Sequence, residues 1–183
     1  MGNMVKEIEP FTRRENRKEG RKMKRQPMGK QQFDRLYGRF LPQLYRAALY
    51  LLGDGKAAAR AAGEAFTRTA ASACTADERA FAVEAARRLC KMCERADRGL
   101  GGYSSALAEE VDGRGAALLE QLGGLGFEDR ELVVLSAVQN FSVCEIARIL
   151  GMSEWAAGMR LRRAVEKVCA CVGQPVAAGQ QIS

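Results

Sequence analysis

Apolar side chains recur every three or four residues along three stretches of the N-terminal half of the chain, at residues 31–52, 56–73 and 76–95. This spacing is typical of helices that bury one face, because about 3.6 residues make one helical turn. Gly53 follows the first stretch, and glycine suits the left-handed residue that ends many helices. The pattern therefore predicts a lobe of three helices over residues 31–97.

The C-terminal half has a second helical block, predicted over residues 116–171. Its first long helix is expected over residues 127–139, with acidic side chains in the first turn, where the helix dipole favours negative charge. Asn140 can end this helix. Because alternating apolar and polar positions are not sustained anywhere along the chain, the predicted fold class is all-α, with two small helical lobes.

Residues 143–153 have the pattern of a short helix followed by a tight turn. The short helix covers residues 143–150, and its expected buried side chains are Ile146, Ala147 and Leu150. Gly151 suits a left-handed cap of this helix, and Ser153 is a good N-cap for the next one. A short helix, a three-residue turn and a second helix make up the helix-turn-helix motif, whose second helix can enter the major groove of DNA.

The second helix of this motif is rich in arginine, the side chain best suited to guanine edges and phosphates. Gly158 is expected on its outward face, together with Trp155 and Arg162. The residues predicted to contact DNA are Ser153, Trp155, Arg160, Arg162 and Arg163. The alternative is a plain helical hairpin whose arginines are solvated surface residues.

The net charge of +7 is unevenly distributed. Residues 1–30 hold ten Lys and Arg against four Glu, whereas the rest of the chain holds 19 basic and 18 acidic residues. Residues 1–30 are therefore interpreted as a flexible basic arm, the Gly-rich residues 98–115 as a linker, and residues 172–183 as a flexible tail. Since the body is nearly neutral, DNA binding has to be argued from local clusters rather than from total charge.

The chain has six cysteines and no histidine. Cys90 and Cys93, like Cys169 and Cys171, fall inside helical patterns rather than in the turns of zinc knuckles, so we expect no metal site and no cofactor. Without histidine or a phosphate-binding glycine loop, no catalytic site can be assembled and the protein is not expected to be an enzyme. No apolar stretch could form a membrane span or a secretion signal, so a cytoplasmic protein without membrane contact is expected.

The C-terminal block resembles region 4 of the sigma-70 family of bacterial transcription factors, which binds the −35 promoter element. Residues 127–135, the run CEIARILGMS and the run RLRRA carry the resemblance. Upstream, FDRLYGRFLPQLYRAALYLLGD, AAARAAGEAFTRTA and RAFAVEAARRLCKMCERAD are similar to region 2 of the small extracytoplasmic-function type. The resemblance implies a sigma-factor-like initiation protein whose partners are promoter DNA and core RNA polymerase, with an anti-sigma factor as a candidate further partner.

The resemblance also implies roles for residues of the N-terminal lobe. Its third helix would approach the −10 element through Arg87, Arg88, Lys91 and Arg95. Its second helix would bind polymerase through Glu64 and Phe66. Arg87, Lys91 and Arg95 share one helix face by their spacing, although a solvated helix flank would show the same pattern.

The sequence departs from the family at both predicted contact surfaces. Residues 57–63 are mostly alanine where the family has an acidic patch that binds polymerase, and Gly158 stands where a lysine would face DNA. Two alternatives therefore remain. One is a stand-alone helix-turn-helix regulator that no longer docks on polymerase, and the other is a helical interaction protein that does not bind DNA.

Overall fold

The structure, a computed structural model, describes residues 28–72, 77–98 and 113–172, and these residues form helices and turns without a β-strand. The all-α prediction is therefore confirmed. The helices are α1 (Lys30–Leu52), α2 (Gly55–Ser72), α3 (Glu78–Asp97), α4 (Gly113–Gly123), α5 (Phe127–Val133), α6 (Val143–Leu150) and α7 (Glu154–Val172). Most of the predicted arm, linker and tail, together with Cys74, lies outside the described residues.

Helices α1, α2 and α3 form an N-terminal lobe around a cluster of aromatic rings. Phe66 of α2 lies at its centre, with its ring centroid 5.4 Å from that of Phe33, 5.5 Å from that of Tyr37 and 5.6 Å from that of Phe81. Helix α1 ends at Gly53, which has a φ of 64° and donates its backbone N–H to the carbonyl of Leu49. The predicted glycine cap is therefore confirmed.

Helices α4 to α7 form a C-terminal lobe. The helix predicted over residues 127–139 is present, but its second half, Val134–Val138, is a wider π-helical turn. The backbone N–H of Gln139 bonds to the carbonyl of Val134, five residues back. Asn140 then adopts a φ of 53°, a left-handed conformation that asparagine tolerates better than most residues. The predicted stop at Asn140 is confirmed.

The two lobes share their hydrophobic cores. Val133 and Val134 of the C-terminal lobe are buried in the same cluster as residues of α1 and α2. Leu119 and Leu122 of α4 belong to this cluster as well. On α3, Phe81, Ala85 and Leu89 recur every four residues and form a face that points into the N-terminal lobe, in keeping with the helical spacing of residues 76–95. A second face of α3, made of Val83, Ala86 and Cys90, is buried against the helix-turn-helix, and this face was not predicted.

None of the helices in the described part of the chain is both long and apolar enough to cross a membrane.

Candidate nucleic-acid interface

The turn between α6 and α7 has the geometry that the sequence predicts. Gly151 has a φ of 71°, and its N–H bonds to the carbonyl of Ala147, as does the N–H of Met152 at 3.0 Å. The Ser153 hydroxyl accepts a hydrogen bond from the N–H of Ala156 at 3.2 Å, which caps the start of α7. These local bonds hold α7 at a defined angle to α6, as a helix-turn-helix requires.

The start of α6 is fixed by a reciprocal capping box. The Ser142 hydroxyl accepts from the N–H of Glu145, and the Glu145 carboxylate accepts from the N–H of Ser142 at 2.9 Å. The same carboxylate accepts two hydrogen bonds from Arg79 at the start of α3. Arg79 and the capping bonds lower the pKa of Glu145 to about 2. Arg79 therefore connects the N-terminal lobe to the first helix of the motif.

Helix α6 buries Ile146 and Ala147 as predicted, but its third buried side chain is Ile149 rather than Leu150. Leu150 is half-buried and lines a cleft beside α3. The inner face of α7 is formed by Ala157 and Ala164, which are both fully buried. Their small size lets α7 lie close to the rest of the lobe.

The outer face of α7 presents part of the predicted DNA contact. The Trp155 side chain is 77% exposed, a large fraction for an apolar ring. Arg162 and Arg163 are also exposed, and neither forms an ion pair within the described residues. Ser153, Trp155, Arg162 and Arg163 are thus available for a nucleic acid.

Two other cations of α7 are turned towards α5. Arg160 pairs with Glu128, and Lys167 pairs with Asp129. Both pairs are at the surface, where an ion pair contributes roughly 0–1 kcal/mol, so contact with phosphate could replace them. The predicted contact residue Arg160 therefore lies at the edge of the outer face rather than at its centre.

Gly158 does not lie on the outer face, where we expected it. It is half-buried, and a Cβ at this position would lie 3.7 Å from a methyl group of Val143 on α6. The expected placement was wrong because α6 packs under this part of α7. The space between Gly158 and Val143 could therefore hold a small side chain at position 158.

On α3, the predicted −10 contacts divide into two groups. Arg87, Lys91 and Arg95 are exposed along one flank of the helix. Arg88 instead bridges to α2, donating to the Ser72 hydroxyl at 2.8 Å and to the carbonyl of Arg68 at 3.0 Å. Arg88 is half-buried and connects the two helices, so it is poorly placed to leave them for DNA.

A cleft of about 250 Å³ separates α3 from the C-terminal lobe. Arg87 and Lys91 of α3 line one side, and Arg160 of α7 lines the other. The acidic side chains in the same cleft are Glu94, Glu128 and Glu131. The structure thus brings three predicted DNA-contacting cations together in a mixed-charge cleft, while Trp155 and its neighbours face outwards.

The two residues predicted to contact polymerase differ in their exposure to solvent. Glu64 is exposed and pairs with Arg68 one turn along α2 at 2.5 Å. Phe66 is only 1% exposed and fills the centre of the aromatic cluster. The prediction that Phe66 contacts polymerase directly therefore needs correction. Phe66 lies on the face of α2 that packs on α1, so this side chain can affect polymerase binding only by supporting the structure of α2.

The cysteines that the structure describes are Cys90, Cys93, Cys144 and Cys169. Among the described residues, no group of His, Cys, Asp and Glu side chains has an arrangement that could hold a metal ion. Cys90 and Cys93 are buried, and burial raises the pKa of both thiols well above the usual value, so both remain protonated. Cys144 and Cys169 are exposed, and the side chain of Cys171 lies outside the described residues.

Sequence reasoning did not identify Arg130, which is 5% exposed at the junction of the two lobes. Its guanidinium donates to the carbonyl of Leu51 at the end of α1, to the carbonyl of Leu125 at 3.1 Å, and to Asp97 at 3.3 Å. One signal was present in the sequence: Arg130 lies three residues after Phe127 and four before Val134, on the apolar stripe of its helix.

The sigma-70, region 4 family matches residues 115–168, a segment that includes α5, α6, the turn with Gly151 and most of α7. No curated protein matches the chain. The matched segment is the one whose capping box, glycine turn and exposed arginines form the helix-turn-helix described above. The chain therefore carries a domain of the sigma-70 region 4 family at residues 115–168.

Proposed function

We propose that this protein is a sigma factor of the small extracytoplasmic-function type, which binds promoter DNA and directs bacterial RNA polymerase in the cytoplasm. One observation carries the proposal. The region 4 domain presents a helix-turn-helix whose second helix exposes Trp155, Arg162 and Arg163, with no acidic partner for either arginine among the described residues.

In this proposal α7 lies in the major groove at the −35 element. Arg162 and Arg163 would bind guanine edges or phosphates, and Trp155 would make an apolar contact near the start of the helix. Because every neutralised phosphate releases counterions, the affinity should fall steeply with salt concentration. We assign no reaction to this chain, since the polymerase supplies the chemistry of transcription.

The N-terminal lobe would contribute the second promoter contact. Arg87, Lys91 and Arg95 lie along the exposed flank of α3 and would approach the −10 element. Glu64, on the exposed face of α2, would contact core polymerase, and Phe66 would support that face from below. An anti-sigma factor is a candidate further partner.

The DNA contact can be tested with a duplex selected from a random library by the purified chain. Replacing Arg162 and Arg163 by alanine should weaken binding to the selected duplex by at least tenfold and reduce its salt dependence. The matched control replaces Arg46 and Arg60, two exposed arginines of the N-terminal lobe, and removes the same charge. Equal affinity of the two double variants would contradict the assignment of α7 as the DNA-binding helix.

A second candidate is a stand-alone regulator that binds a duplex without polymerase. The exposed face of α2 favours it, because Lys56, Arg60 and Arg68 lie there with Glu64, whereas the family carries an acidic patch in this region. A pull-down with core RNA polymerase separates the two candidates. Retention with promoter-dependent transcription supports the sigma factor, whereas duplex binding without retention supports the regulator.

A further inference from the structure

The first two turns of α7 contain few side chains that can form hydrogen bonds with a base. Ala156, Ala157, Gly158 and Met159 have no N–H, O–H or carbonyl group in their side chains. The hydroxyl of Ser153 is already used, because it accepts a hydrogen bond from the backbone N–H of Ala156 at 3.2 Å. Since the N-terminal residues of a recognition helix contact the base edges, this helix needs another way to distinguish one base from another.

Glu154 and Trp155 are the exposed residues within residues 154–161 of α7. Glu154 is the first residue of the helix, where the positive end of the helix dipole favours a carboxylate. Trp155 is 77% exposed, and among the described residues no other aromatic ring packs against its indole. The indole is therefore the largest side chain in this part of α7 that is available to a ligand.

The buried face of α7 determines the direction in which Trp155 points. Ala157 and Ala164 are both 0% exposed, and each belongs to one of the two buried clusters. At 3.6 residues per turn, these two alanines lie about 200° and about 180° from Trp155 around the helix axis. Because both alanines are packed in the core, α7 cannot rotate to bury the indole, which stays on the outer side of the helix.

Two further residues continue the outer face that begins at Trp155. Met159, one turn along the helix, is half-buried, and Arg162, two turns along, is exposed. By helical periodicity, both lie within about 40° of Trp155 around the helix axis. The outer face of α7 thus begins with an apolar stretch, which is followed by a cation.

The major groove of DNA offers one prominent apolar group, the C5-methyl group of thymine. The other groups that distinguish the bases there are hydrogen-bond donors and acceptors, for which Met159 and the face of an indole ring are poor partners. An apolar stretch at the start of a recognition helix is therefore more complementary to thymine than to the other three bases.

We propose that α7 selects duplex sites that contain thymine, through packing of the Trp155 indole on a thymine C5-methyl group, with Met159 beside it. Arg162 holds a guanine edge or a phosphate farther along the groove. The proposal rests on the proposed binding of DNA by α7. It adds which base the start of the helix selects, and through which atom of that base.

Replacement of thymine by uracil tests this contact, because it removes the C5-methyl group and leaves the hydrogen-bonding groups of the base pair unchanged. The full chain is titrated against the duplex that it selects from a random library, with each thymine replaced singly by deoxyuridine. Fluorescence anisotropy gives the dissociation constant at one fixed salt concentration. We expect the native chain to bind about fourfold more weakly when uracil occupies one or two of these positions, as the loss of one buried methyl group predicts.

Two variants identify the side chain that is responsible. Trp155→Ala should keep the native helical circular dichroism signal, because the ring is exposed, and it should bind the thymine and uracil duplexes equally. Val165→Ala is the matched control, since Val165 is a 44% exposed apolar residue later in the same helix. This variant should keep the fourfold preference for thymine.

A second measurement adds the methyl group back. At the position that is sensitive to uracil, a pair of cytosine with guanine should bind more weakly than the same pair with 5-methylcytosine, which carries the methyl group without the O4 atom of thymine. Equal affinity of these two duplexes would show that α7 reads another feature of thymine, and it would overturn the proposal. So would the absence of thymine from the selected sites, an unchanged affinity for every uracil duplex, or an equal preference for thymine in Trp155→Ala.

Failure of this proposal can be distinguished from failure of the proposed function. If α7 does not bind DNA, the double replacement of Arg162 and Arg163 has no more effect on affinity than its control, and both proposals are overturned. If only the thymine contact is wrong, that double variant still weakens binding, whereas the uracil duplexes bind like the thymine duplex.

Discussion

Arg79 at the start of α3 donates two hydrogen bonds, from Nε and Nη2, to the carboxylate of Glu145 at the start of α6. The guanidinium of Arg79 also lies over the ring of Phe141, with its carbon 4.8 Å from the ring centroid. The carboxylate of Glu145 is at the same time one half of the capping box of α6. A single side chain of the N-terminal lobe thus supports the first helix of the DNA-binding motif.

Replacing Arg79 by alanine should lower the free energy of unfolding by about 1 kcal/mol, because a partly exposed ion pair and a cation–π contact are lost. The lowered pKa of Glu145 means that its contribution is present above about pH 4.5 and is lost as the pH falls towards about 2. Urea denaturation should therefore show a difference that shrinks in acid. Arg98→Ala, which breaks a pair within one helical turn, is the control and should change stability by less.

Replacing Arg130 by methionine should destabilise the fold by about 3 kcal/mol, because the carbonyls of Leu51 and Leu125 would lose a buried donor. Arg148→Met on the exposed face of α6 provides the comparison and should have little effect. Denaturation by urea, monitored by circular dichroism, measures both variants. Similar stability of the two variants would show that the junction of the lobes does not depend on Arg130.

Replacing Phe66 by alanine should lower the free energy of unfolding by about 3–5 kcal/mol, since its side chain is fully buried. Phe33→Ala removes a ring of the same cluster that is 37% exposed, and it should cost less. Phe66→Leu keeps most of the apolar volume and should retain the native fold. If Phe66→Leu is folded yet has lost a measured polymerase affinity, Phe66 does more than support α2.

Replacing Gly158 by alanine should stabilise the chain by about 0.5–1 kcal/mol, because alanine favours the helix and its Cβ meets only an ordinary contact with Val143. Gly151→Ala should have the opposite sign, because its φ of 71° strains any residue with a Cβ. Thermal unfolding of both variants measures the contrast. A lower melting temperature for Gly158→Ala would show that α6 and α7 cannot accept the added methyl group.

The positions of the helices and the helix-turn-helix were predictable because local chemistry determines them. Gly53 and Gly151 end helices, and Ser142 and Ser153 cap them, through bonds to residues no more than four positions away. The apolar stripe on Phe81, Ala85 and Leu89 follows from helical periodicity in the same way. Each of these features can be read from a few consecutive residues.

The remaining features depend on how the two lobes meet, and the pattern along one helix does not contain that information. The second buried face of α3 and the buried guanidinium of Arg130 both arise from contacts between residues far apart in the chain. The same packing turns Arg160 towards α5 and leaves Arg162 exposed. The sequence by itself determined an all-α chain with a DNA-binding motif, because capping and periodicity act over one or two helical turns. The tertiary structure alone decided which charges are free, because burial and ion pairing depend on the whole surface that surrounds a side chain.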